Sequence, residues 1–313
     1  MQELATVRQS AIAPIQVFNF DYFNEFINYC DASPKTVQTY TRAIRQFSNW
    51  LIFNGINQPT RADVINYRDE LKANGKKPTT VQAYIMALKQ FFNFTEVMGI
   101  YPNITLHLKG ARIDVGHKKD NLTKNQVKML LSSIDTSTLK GKRDYAIMGL
   151  MVTAGLRTIE VVRANVEDLG LVGSQSVLYV QGKGHEEKTD FVNLAYEVEQ
   201  AIREYLKARG VKENTEPLFT STSNNNAGGR VTTKTISTLV KDQLKSIGLD
   251  SDRLTAHSLR HTAITTAVEQ GLDLHEAQEF ARHRNPATTE IYIHKQDKVK
   301  NRGSKLVASA FFN

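Results

Sequence analysis

Residues 282 to 294 read Arg282-His283-Arg284-Asn285-Pro286-Ala287-Thr288-Thr289-Glu290-Ile291-Tyr292-Ile293-His294. Taken alone, a tyrosine inside Ile-Tyr-Ile is a core residue and a single histidine is a hydrogen-bonded structural one. The reading changes when the segment is set beside three others, in which strong cations and histidines stand at structural punctuation rather than on solvated faces. The nearest is His257-Ser258-Leu259-Arg260-His261. On a helix, positions i and i+3 share a face, so His257 and Arg260 converge on one oxygen or phosphate, while His261 reads as a buried, hydrogen-bonded residue. His257 and His261 also have metal-ligand spacing. Arg260 lies between them, however, and neither a cysteine partner nor a His-Glu-x-x-His pattern is present, so no metal site is expected.

Further upstream, Gly182-Lys183-Gly184 joins two expected strands, Ser176 to Gln181 and Asp190 to Leu194. The glycines let the turn tighten and approach a ligand closely. It is not a Walker loop, since no Ser or Thr follows the lysine and no helix begins there. By itself Lys183 reads as a solvated turn lysine. In Ala154-Gly155-Leu156-Arg157-Thr158-Ile159-Glu160 an arginine stands just beyond a nearly apolar helix and a glycine turn. Rigid support of that kind lets its planar fork grip a phosphate bidentately, with Glu160 one turn on to orient it. Alone, Arg157 reads as a surface or salt-bridged arginine.

The combination is specific. Arg157 in Gly-Leu-Arg-x-x-Glu, Lys183 in a hairpin Gly-Lys-Gly, His257-x-x-Arg260, and His283 and Tyr292 in His-x-x-x-x-Thr-Thr-x-x-Tyr-x-His resemble the tyrosine recombinase (phage integrase) family in order and spacing. The likeness runs from about Asn121 onward and suggests a two-domain Xer-like or mobile-element recombinase. It implies a mainly α fold with a small antiparallel β-sheet in the catalytic domain, which with a helical core-binding (SAM-like) domain makes a two-domain DNA clamp. It further implies that Tyr292 attacks a DNA phosphodiester to form a 3′-phosphotyrosyl link and release a 5′-hydroxyl, without a cofactor or metal. Arg157 and Arg260 would stabilise the transition-state charge, and Lys183 would protonate the leaving oxygen. His257 would act as acid or base at the nucleophile side, and His283 would donate to a nonbridging oxygen. The implied partners are a double-stranded DNA recombination site and further copies of the chain, two per site and four in the synapse, with the C-terminal tail docking in trans. One departure stands out: where the family usually carries glycine before the histidine of the last motif, this chain has Arg282. That costs up to about 1 kcal/mol, or it adds a phosphate contact. The competing readings are a topoisomerase of the same chemistry and a DNA-binding regulator that keeps the fold without the reaction. The regulator has no need of a tyrosine at position 292.

Composition agrees with a polyanionic partner. Lys and Arg number 40 against 32 Asp and Glu, a formal charge of +8 over 313 residues. Hydrophobic residues make up 41%, with 18 glycines and 7 prolines, which excludes collagen-like and grossly disordered chains. No apolar run reaches the ~18 residues of a bilayer span, and the N-terminus lacks the order of a secretion signal, so no membrane association and a cytoplasmic location are expected. The single cysteine, Cys30, has no intramolecular disulfide partner and reads as core filler.

Along the chain, Ser33-Pro34 opens a helix carrying Val37, Tyr40, Ile44, Phe47 and Leu51, and Thr60 with Asp63 opens a second. Thr79 and Thr80 precede a third, with an earlier candidate over Phe18 to Tyr29. Residues 1–108 are therefore expected to form a helical bundle, 109–120 a basic linker, and 121–313 the catalytic domain. In the latter, Thr123-Lys124-Asn125-Gln126 is a capping box that opens a helix carrying Val127, Leu130 and Leu131, and the helix from Lys142 to Ala154 is apolar enough to be the buried centre. Helices are also expected over Thr233 to Ile247, His257 to Gln270, Leu274 to Ala281, Ala287 to His294 and Ser304 to Phe312. Thr220 to Arg230 is expected to be a loop.

Overall fold

The computed structural model describes residues 20–111, 120–182, 187–300 and 302–312; most of the expected linker and the hairpin tip with Lys183 lie outside them. The chain divides into two compact units, Met1–Val115 and Gly116–Asn313.

The first unit holds helices α1 (Phe20–Tyr29), α2 (Pro34–Phe53), α3 (Arg61–Ala73) and α4 (Pro78–Val97). Local chemistry sets their ends. The Thr36 backbone N–H donates to Ser33 Oγ at 3.4 Å with proline at the first helical position, and the Thr60 N–H donates to Asp63 Oδ2 at 2.7 Å. Each of α2, α3 and α4 runs out into a glycine at positive φ, Gly55, Gly75 and Gly99. The core between them is aromatic: Phe26 meets Phe91 edge-on at 5.3 Å, and Phe47, Phe92 and Tyr67 fill the centre. Cys30 packs half-buried against this cluster.

The second unit is mostly helical around a small sheet. It contains α5 (Lys124–Ser132), α6 (Leu139–Thr153), α7 (Thr158–Arg163), β1 (Leu169–Val172), β2 (Gln175–Val180), β3 (Asp190–Asn193) and α8 (Tyr196–Arg209). Then come α9 (Thr233–Ser246), α10 (Ala256–Glu269), α11 (Leu274–Ala281), α12 (Ala287–Lys300) and α13 (Gly303–Phe312). The strands form an antiparallel meander in the order β1-β2-β3, with Leu178 opposite both Leu169 and Val192.

Two elements go beyond the sequence expectation, β1 and α8. Helix α6 also starts three residues earlier than Lys142, because the Gly141 N–H donates to Thr138 Oγ1 at 3.0 Å and so caps the helix at Thr138. Its middle, Ala146 to Met151, is fully buried between α8 and α10. Helix α10 is buried nearly all round and touches α6, α9, α11 and α12. Anything it carries is therefore held rigidly, and it carries Arg260. No helix among the described residues is long and apolar enough to cross a membrane.

Candidate active site

Arg157 follows α6 through Gly155, whose φ of +60° turns the chain sharply, and Leu156, which is buried as an anchor. It then N-caps α7. Its backbone N–H donates to Glu160 Oε2 at 2.7 Å, its Nη1 to Glu160 Oε1 at 2.6 Å and its Nη2 to the Arg282 carbonyl at 3.0 Å. The guanidinium is thus fixed on two sides while 27% of the side chain remains exposed. Glu160 is fully buried. Burial pushes its carboxyl pKa up, but Arg282, the Arg157 N–H, Arg157 and Arg260 outweigh that and hold it below the ordinary range.

Arg260 is 2% exposed and donates to the carbonyls of Gly155 and Ala281, which tie it to the ends of α6 and α11. Burial, followed by repulsion from Arg157 and Arg282, lowers its pKa to about 9, still cationic at neutral pH. His257, one turn earlier on α10, is exposed on the same cleft. His261 is buried, hydrogen-bonded to Thr265 Oγ1 at 3.3 Å, and presents its ring to Tyr292 at 4.9 Å in an edge-on contact.

His283 leaves α11 after Arg282 and is held by Thr289 Oγ1 on its Nδ1 at 2.9 Å, while its carbonyl accepts from Gln278 Nε2 at 2.9 Å. Burial and then Arg260, Arg157, Arg282 and His257 lower its pKa to about 3, so the ring is neutral. Tyr292, in the second turn of α12, is 5% exposed and packs with Ile264, Val268, Ala277 and Ala281. Burial raises its pKa to about 12, with Arg260 pulling the other way.

Five of the six residues singled out from sequence, Arg157, His257, Arg260, His283 and Tyr292, line one cleft of about 910 Å³. Gly182 borders it too; Lys183, next in the chain, lies outside the described residues. Among the described residues no cluster of His, Cys, Asp or Glu is placed to hold a metal ion.

Sequence reasoning missed two features. Arg282 turns its guanidinium inward, to Glu160 Oε2 at 3.0 Å, and is not laid out toward solvent. In the first unit, Lys35, Gln38, Arg42, Arg45 and Asn49 recur at three- and four-residue steps along the exposed face of α2 and line a groove with Thr79, Thr80 and Ala83 of α4. The only signal for that face was its helical period, which any solvated face shares.

The model of the Phage integrase family matches residues 120–299, more than half of the chain, and that of the phage integrase N-terminal SAM-like domain matches residues 21–97. The chain belongs to the phage integrase family of tyrosine recombinases. The recombinase is 37% identical over 202 residues to tyrosine recombinase XerC of Caldanaerobacter subterraneus subsp. tengcongensis, a match covering 63% of this chain and 53% of that relative. To tyrosine recombinase XerA of Pyrococcus horikoshii it is 30% identical over 283 residues, covering 88% of this chain and 90% of the other. The solved XerH site-specific recombinase bound to a palindromic difH substrate in a post-cleavage complex aligns with a TM-score of 0.68 at 20% identity, over 89% of this chain and 84% of that one. At that identity the likeness speaks for the fold.

Proposed function

We propose that the recombinase cuts and rejoins duplex DNA at a specific site through a 3′-phosphotyrosyl intermediate on Tyr292. The observation that carries this reading is the convergence of Arg157, Arg260, His283 and Tyr292 on one cleft, a set with two fixed cations and one nucleophile. The phenolic oxygen forms a bond to phosphorus as the bond from phosphorus to the 5′-oxygen breaks. The phenol proton passes to His257 and the leaving 5′-oxygen takes one from Lys183. One phosphodiester replaces another, so the bond is conserved for religation. In this proposal the Thr289 hydroxyl, 2.9 Å away, donates to His283 Nδ1, which assigns the ring proton to Nε2, the tautomer that donates to a nonbridging oxygen.

Residues 121–313 act in this proposal as the catalytic domain and residues 1–108 as a core-binding domain, joined by 109–120 and closing on opposite sides of the DNA. The basic face of α2 supports the second half of that clamp, since Lys35, Arg42 and Arg45 suit phosphates while Gln38 and Asn49 suit base edges. Two copies occupy a site and four a synapse. Helix α13 docks in trans, a role favoured by Leu306, Val307, Phe311 and Phe312, all of which are exposed. A DNA substrate inside the cell places the enzyme in the cytoplasm.

The test is to incubate the full chain with fragmented genomic DNA, denature it in detergent, and look for covalently linked DNA. Tyr292 should be the linked residue by mass spectrometry, the strand released at the break should carry a 5′-hydroxyl end that kinase labels directly, and Tyr292→Phe should form no adduct. An adduct surviving in that variant refutes the assignment.

A further inference from the structure

We infer that Arg282 is a positioning residue of the transesterification, a third guanidinium that shares Glu160 with Arg157 and sets the charge of the phosphate pocket. This rests on the reading of the cleft given above. Arg282 ends α11 at φ +51° and ψ +48°, in the left-handed region that side-chain-bearing residues adopt at a cost. Among the other described residues that conformation falls mostly to glycine, as at Gly210 beyond α8. Here it falls to the longest cationic side chain.

That side chain is only 8% exposed. Its Nη2 donates to Glu160 Oε2 at 3.0 Å and to the Gly155 carbonyl at 3.3 Å, and its Nη1 to the Phe280 carbonyl at 2.9 Å. Its own carbonyl accepts from Arg157 Nη2 at 3.0 Å. Arg282 therefore grips Arg157 twice, through the backbone and through the shared carboxylate. Its Nε is buried without a hydrogen-bond partner, a second local penalty that stability alone does not account for. Strain retained beside a reacting centre points to a task at that centre.

The task follows from counting charges. Arg157, Arg260 and Arg282 face one carboxylate, Glu160, so this cluster carries two net positive charges, while Arg284, Glu187 and Asp190, which also line the cleft, are exposed to solvent. A phosphodiester brings one negative charge, and its pentacoordinate transition state brings a second. The arginine cluster is therefore matched to the transition state and over-charged for the ground state, the condition under which binding accelerates chemistry. Without Arg282, Glu160 would cancel Arg157 and leave one net charge.

The experiment uses the full chain and a nicked synthetic duplex of the sequence recovered with the covalent adduct. Single-turnover cleavage should fall about 10- to 100-fold in Arg282→Gly and in the neutral Arg282→Gln, and Arg282→Lys should recover most of the loss. The dissociation constant for the duplex should stay within about threefold, because many other phosphate contacts carry affinity. The thermal midpoint of Arg282→Gly should not fall, since glycine relieves the backbone. The inference is overturned if both neutral variants cleave at the wild-type rate, or if lysine recovers nothing. If Arg282→Gly does not fold, Arg282→Gln against Arg282→Lys decides the matter in the same way. Absence of any adduct in the wild-type protein would instead overturn the phosphotyrosyl reading and this inference with it.

Discussion

Replacing Glu160 by glutamine removes the one carboxylate that faces three guanidiniums while keeping the shape of the side chain. Glu160 is fully buried and touches Arg157 at 2.6 Å and Arg282 at 3.0 Å. At an effective dielectric of about 20, unit charges about 4 Å apart interact by roughly 4 kcal/mol, so two attractive pairs are lost and the repulsion among the arginines is unmasked. The carboxylate's own burial penalty is relieved in exchange, which brings the net to about 3 to 5 kcal/mol, the usual loss on breaking a buried pair from one side. In a unit of this size each kcal/mol moves the midpoint by about 2 to 4 °C, so a fall of roughly 6 to 20 °C is expected in calorimetry at neutral pH. Trp50, the one tryptophan of the chain, sits in the first unit, and its fluorescence transition should move much less. The sign of the pH dependence is fixed too. The folded carboxyl is held below the ordinary value of 4.5, so its contribution is present above that value and lost as pH falls below it, and variant and wild type should converge there. In the double variant with Arg282→Gly, which removes one of the unmasked cations, the loss should be smaller than in Glu160→Gln alone. A calorimetric midpoint within about 2 °C of wild type at neutral pH would refute the reasoning.

Other expectations are equally direct. His283 has a folded pKa of about 3 against 6.5, so the unfolded chain binds the extra proton between those values, and stability that is full above 6.5 declines below it; His283→Asn should lose less between pH 6.5 and 5, and parallel decline in the two proteins would be the contrary result. Alanine at both Arg42 and Arg45 should lower the slope of log affinity for DNA against log salt by about 0.9 for each phosphate contact removed, and an unchanged slope would take the α2 face out of the interface. Deleting residues 303–312 should leave the thermal midpoint and single-copy DNA binding unchanged, because Phe311 is 77% exposed and its neighbours similarly open; paired-site complexes should drop, and undiminished synapsis would argue against docking in trans. Single-turnover cleavage should rise by clearly less than tenfold per unit between pH 7 and 9, whereas a tenfold rise would mean attack by free phenolate.

Much of this architecture was legible because it is written in short-range chemistry. Ser33-Pro34, Thr60 with Asp63, and Thr123 with Gln126 are caps that act within one turn, and the helices they open are where the spacing put them. Helix α11 runs from Leu274 to Ala281 as expected because Asp273 and Glu276 box its start. Helix α8 was not legible: its buried residues are only Val198, Ile202 and Tyr205 amid charges, and its stability comes from lying on α6. Strand β1 was hidden likewise, since Leu169-Gly170-Leu171-Val172 gains its meaning from pairing with β2. At the site, the identity of the cleft residues was readable from order and spacing, and so was Glu160 beside Arg157. The inward course of Arg282 was not, because a left-handed backbone that turns a surface-looking arginine under its own helix end leaves no trace in composition or period.

Under the proposed reaction, the same geometry keeps Tyr292 quiet in the free protein. With a pKa of about 12, only on the order of one Tyr292 phenol in 10⁵ is ionised at pH 7, and the ring is shielded by Ile264, Val268 and the edge of His261. Arg260 draws that pKa down. An incoming phosphate spends part of this same cation's field, so DNA binding cannot produce a free phenolate by electrostatics. It acts in the opposite sense on His283: Arg260, Arg157 and Arg282 all depress its pKa, and an anion set among them lifts that depression. In the proposed reaction substrate binding thus leaves the phenol protonated, which directs it toward attack with proton transfer to His257 in one step. A phenol that must hand over its proton while it attacks is inert wherever no phosphate is seated, and that restraint suits an enzyme whose every premature cut would be a broken strand.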